Sequence, residues 1–84
     1  MYGKNTKKVN EIKNFLFSQG WNNDRWGHFK KIENDREYRY KFQKSSLRLE
    51  YSQKINGKKE WRGLRSNYYK NIEIKDNKLT GLLV

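Results

Sequence analysis

The residues with chemistry to offer are cations set at strand spacing. Arg39 and Lys41 alternate with Tyr38, Tyr40 and Phe42, and Arg48 sits between Leu47 and Leu49. Strand side chains two apart point the same way, so these charges converge on one surface, which Lys30 and Lys54 can join. Such a surface neutralises phosphates and releases their counterions, giving salt-dependent binding. Glu37 and Glu50 interleave with the cations, so an ordinary solvated sheet face stays open as the alternative. A second constellation runs from Trp61 to Lys70, where Trp61, Tyr68 and Tyr69 alternate with Arg62, Arg65 and Lys70 on a chain bent at Gly63. Exposed rings there can stack on unpaired bases while guanidinium groups hold the backbone. The alternative is that Trp61, Leu64 and one tyrosine close the end of the core, and the core position is preferred for Trp61. Expected nucleic-acid contacts are therefore Arg39, Lys41, Arg48, Arg62, Arg65, Lys70 and Tyr68.

The third candidate is His28, the single histidine, in Arg25-Trp26-Gly27-His28-Phe29. A histidine near neutral pKa suits general acid–base catalysis. The stretch Phe15 to Phe29 (FLFSQGWNNDRWGHF) resembles HicA-type mRNA interferases, small basic toxins with an α-β-β-β-α fold similar to the double-stranded RNA-binding domain. The resemblance implies that Gly20-Trp21 is a helix exit and that Gly27-His28 holds the ribonuclease histidine. It also implies a closing helix, whereas the residues beyond Phe42 read as strands. No phosphate-cradling glycine loop, helical carboxylate pair or metal-ligand spacing is present, and no cofactor is expected.

Eighty-four residues make one small basic domain, with residues 1–5 expected to be flexible. Thirteen aromatics (3 Trp, 6 Tyr, 4 Phe) offset a low hydrophobic fraction, because each buried ring removes a large area from water. Without cysteine there is no disulfide frame or thiolate site. No apolar run reaches membrane-spanning length and the N-terminus lacks a signal-peptide core, so a soluble cytoplasmic protein is expected, with no membrane partner. Absent Ala and Pro beside abundant Lys and Asn read as a low-GC coding bias, as in a phage or mobile element. A net charge of +11 favours a polyanionic partner, DNA or RNA, and excludes a nucleic-acid mimic. An accessory factor docking an acidic protein through its aromatic rim is a further reading.

These residues need a sheet to position them. Val9, Ile12, Phe15 and Leu16 form the apolar stripe of a helix from Thr6 to Gln19, capped by Asn5 or Thr6 and stopped by Gly20. Lys7 and Lys8 oppose the helix dipole, so that end is expected to be weak. Asn22-Asn23-Asp24 reads as a turn and Trp26 to Ile32 as a strand. A two-residue loop at Asn34-Asp35 would set Phe29 inward across from Tyr40; a three-residue loop would reverse it. The turn at Lys44-Ser45 pairs Phe42 with Leu47, Tyr40 with Leu49 and Tyr38 with Tyr51, with Arg39 opposite Glu50 on the far face. Asn56-Gly57 signals a hairpin, whose two-residue form puts Trp61 outside and whose three-residue form puts it in the core; the buried form is preferred. Tyr68 and Tyr69 lead into Ile72 and Ile74, and a last strand pairs Leu79 with Ile74 and ends Leu82-Leu83-Val84. Its open edge makes a homodimer possible. The expected architecture is α+β, one N-terminal helix packed on an antiparallel meander of five or six strands.

Overall fold

The computed structural model describes residues 6–82. Asn5, the other basic and polar residues before Thr6, and Leu83 and Val84 of the expected last strand lie outside that range. Helix α1 (Thr6–Ser18) is followed by β1 (Asn22–Asn23), β2 (Phe29–Glu33), β3 (Arg36–Phe42), β4 (Ser46–Ile55) and β5 (Lys58–Tyr68). These five strands form one antiparallel sheet in chain order. A 3-10 turn over Tyr69–Asn71 then leads into a separate hairpin, β6 (Glu73–Lys75) and β7 (Lys78–Thr80). The α+β architecture is as the patterning predicts.

Helix α1 ends as its sequence dictates. Gly20 takes φ 88°, its N–H donates to Phe17 O at 3.2 Å, and Trp21 N–H donates to Leu16 O at 3.0 Å. That is a Schellman stop, and it drops the Trp21 ring 4.7 Å from that of Tyr40. Val9, Ile12 and Leu16 are buried against Phe29, Tyr40, Leu47, Tyr69 and Ile72. Each such aliphatic contributes about 1.5–3 kcal/mol of burial. The weak start expected from Lys8 is countered by tertiary structure, because its Nζ donates to Ile72 O at 2.7 Å.

The turns decide which way each strand faces. Asn34 and Asp35 both have positive φ, giving a two-residue loop in which Phe29 pairs with Tyr40. Phe29 is therefore buried and Trp26 is 70% exposed. Asn56 and Gly57 likewise form a two-residue turn, placing Ile55 against Lys58 and Ser52 against Trp61. This corrects the preference for a buried Trp61: the asparagine–glycine backbone preference outweighs the area gained by a Trp–Tyr pair. Leu64 is the extra residue of a bulge, since Glu50 pairs with Gly63 and Leu49 with Arg65.

Other details differ from the patterning. Asn22–Asn23 pair with Lys30 and Phe29 as a short strand, and the turn falls later, at Asp24 to His28. Asp24 Oδ1 accepts from the backbone N–H groups of Trp26 and His28, both at 2.9 Å, which nucleates that turn. Tyr69 leaves the strand because its ring fills the core, with its hydroxyl donating to Gln43 O at 2.5 Å. Ile74 does pair with Leu79, but β6 and β7 do not join the main sheet, whose long free edge is β5. Among the described residues the segment after Phe42 is strand, 3-10 turn and hairpin, with no closing helix. No helix of the described residues is long and apolar enough to cross a membrane.

Candidate nucleic-acid interface

Alternation gives the sheet an inner face toward α1 and an outer face away from it. The outer face brings together Lys30, Arg39, Lys41, Arg48, Lys54 and Lys59, as the spacing predicts for Arg39, Lys41 and Arg48 and allows for Lys30 and Lys54. At its centre stands Glu50, only 5% exposed. Arg39 Nε donates to its Oε1 at 2.6 Å, and Arg48 Nε stands 3.0 Å from Oε2 without hydrogen-bond alignment. Lys59 pairs with Glu37 at 2.7 Å and Lys30 with Asp24 at 3.4 Å. Among the described residues Lys41 and Lys54 have no carboxylate within 4 Å. Arg39 and Arg48 thus neutralise a buried charge first, which such a charge requires.

Trp61 joins this network as a lid. The Arg39 guanidinium lies 4.2 Å from its ring centroid, with the ammonium groups of Lys30 and Lys59 each 5.8 Å away. Arg48 lies over Gly63, where an added Cβ would meet its Nη2 at 2.5 Å. The bulge glycine therefore makes room for a guanidinium.

His28 lies at the edge of the same face. Its Nδ1 is 3.8 Å from Asp24 Oδ2, and both atoms are buried without a hydrogen-bond partner. Burial pushes the imidazole pKa below its ordinary value; Arg39 and Lys41 push the same way while Asp24 and Glu50 oppose them. For Asp24, burial raises the pKa, but the N–H groups of His28 and Trp26 together outweigh it and hold the carboxyl low. His28 is accordingly a neutral imidazole beside a carboxylate at pH 7.

The inner face is only partly covered. Phe42, Leu47 and Phe29 lie under the helix, but Tyr38, Leu49 and Tyr51 remain half-buried. This corrects the assignment of Tyr38 and Tyr51 to the core. An open cleft of about 210 Å³ is lined by Trp21, Glu33, Tyr38, Tyr40 and Leu49. Burial raises the Tyr40 phenol to about 12, so it stays neutral. Arg62 pairs with Tyr51 and Arg65 with Leu49, both exposed, and the Arg36 guanidinium lies 4.8 Å from the Tyr51 ring centroid. None of these three arginines has a carboxylate within 4 Å among the described residues. Lys31 is tied down, donating to Gln19 O at 3.0 Å and lying 3.3 Å from Glu33.

The expected contact residues therefore divide. Arg39, Lys41 and Arg48 share the outer face; Arg62 and Arg65 lie on the inner one. Tyr68 is 57% exposed on the outer side, and Lys70 sits in the exposed part of the 3-10 turn. Arg36, Tyr38 and Tyr51 complete the inner group and are missed by strand alternation alone. Length was the available signal: a thirteen-residue helix is about 20 Å long. A ten-residue strand is about 33 Å long, so one helix leaves sheet bare. No family model, curated protein or solved structure matches this chain.

Proposed function

We propose that the protein is a small nucleic-acid-binding module that holds phosphates electrostatically. The observation that carries this reading is the group Arg36, Arg62 and Arg65, with no ion pair among the described residues, on the bare end of the inner sheet face. Exposed guanidinium groups that neutralise no internal charge are available to phosphates. The net charge of +11 supports the same partner by long-range attraction. Lys41 and Lys54 add to the field from the other face, while Arg39 and Arg48 are engaged by Glu50. Anisotropy titration of labelled DNA and RNA at low and high salt tests the reading. Binding that collapses as salt rises supports it; no binding at low salt rejects it.

A ribonuclease with His28 as acid or base is the second reading. It is favoured by the neutral imidazole, the Asp24 carboxylate 3.8 Å away and the cations of the outer face. A carboxylate near Nδ1 can orient a catalytic imidazole once the two close to hydrogen-bond distance. Incubating RNA with the protein and with His28→Ala decides it, since equal or absent cleavage by both removes the enzyme.

A further inference from the structure

Resting on the nucleic-acid reading, we infer that the bare inner face takes the unpaired bases of a single strand, with Tyr38 as the stacking surface in the cleft. The register sets Lys31, Tyr38, Tyr51 and Arg62 in one row across β2, β3, β4 and β5. At the spacing of paired strands that row is about 14 Å long. Its centre is two rings and its two ends are cations. The cleft beside Tyr38 holds about 210 Å³, below the ~300–1,000 Å³ of pockets for drug-sized ligands. Its walls of Trp21, Tyr38, Tyr40 and Leu49 suit a flat heterocycle, and Glu33 supplies an acceptor for an exocyclic N–H.

Charge sets the direction of the strand. At the β2 side Lys31 is engaged by Glu33 and Gln19 O, whereas Arg62 and Arg65 at the β5 side have no carboxylate within 4 Å among the described residues and attract phosphate. Bases therefore point toward β2 and Trp21, and the backbone tracks along β4 and β5. Arg36, whose guanidinium lies 4.8 Å from the Tyr51 ring centroid, offers its plane to the next base, as arginine does in loops and single strands. A duplex keeps its bases inside the stack and cannot present one to the cleft without unstacking it.

The test titrates labelled oligo-dC, oligo-C and a duplex of equal length into the wild type, Tyr38→Leu, Arg62→Ala/Arg65→Ala and Lys41→Ala/Lys54→Ala. Either single strand is expected to bind more tightly than the duplex, and the tighter of the two identifies the natural sugar. Tyr38→Leu is expected to lose roughly tenfold on the single strand, the scale of one stacked base, with little change on the duplex. Circular dichroism confirms that the leucine variant is folded; the paired arginine variant, at exposed positions, tests the site independently and should also weaken binding. The inference is overturned if both variants bind single strands like the wild type, or if the duplex binds equally well. If only the lysine variant weakens binding, the cleft is excluded while the nucleic-acid reading stands. If the wild type binds none of the three, that reading falls as well.

Discussion

The Arg39 guanidinium is held between two groups: its Nε donates to Glu50 at 2.6 Å and its plane lies 4.2 Å from the Trp61 ring centroid. This contact explains why an indole belongs on the polar side of the sheet. Trp61 shields a buried ion pair, as a ring beside a desolvated cation can. It also shows that part of the positive charge of the outer face serves internal neutralisation.

Glu50→Ala should be costly, because it leaves two arginines without the carboxylate that joins them. Removing one partner of a buried pair costs about 3–5 kcal/mol, and the low end applies since the Arg48 side chain is 43% exposed. For a domain of this size that is a fall in Tm of roughly 10 °C or more. The paired change Arg39→Met/Glu50→Leu should restore much of the loss, since an apolar pair of similar volume needs no desolvation of charge. Thermal melts of the single and paired variants check this.

Gly81→Ala should destabilise the junction between the 3-10 turn and the last hairpin. Gly81 has φ 97°, and a Cβ there would collide with the Asn71 carbonyl oxygen. Its own carbonyl accepts from Asn67 Nδ2 at 2.6 Å, so a shift would break that bond too. A loss of about 1–3 kcal/mol is expected from the backbone strain, measured by urea denaturation.

Acid should weaken the fold through the Asp24–His28 corner. The folded state holds the His28 pKa below 6.5, so between the folded and unfolded values the unfolded chain binds more protons. Stability from His28 is full above pH 6.5 and declines as the pH falls toward the folded pKa. Asp24, whose folded pKa is also lowered, loses its contribution at still lower pH, beginning near 3.8. His28→Asn should flatten the fall in Tm between pH 7 and pH 5. An unchanged slope would show that the imidazole is not the sensor.

The legible part of this fold is what local chemistry determines. Gly20 and Trp21 announced the helix stop, and the alternation from Glu37 to Ser52 gave the β3–β4 register pair by pair. Ring burial alone puts Trp61 inside, but the Asn56-Gly57 turn fixes the register that puts it outside. The inner cleft was not legible at all. It depends on where a short helix stops covering a long ribbon, which is a relation between elements and not within one. Arg62 and Arg65 were picked out as cations, but their face follows from the bulge at Leu64, a one-residue shift that alternation cannot anticipate.

Arg36, Arg62 and Arg65, which have no ion pair among the described residues, are proposed to hold the nucleic acid in preference to the arginines clustered around Glu50. The most direct measurement is the slope of log affinity against log salt for an oligonucleotide with wild type and Arg62→Ala/Arg65→Ala. Losing two phosphate contacts should reduce the magnitude of that slope by about 1.4 on a single strand. A slope and affinity unchanged in the variant would contradict the account.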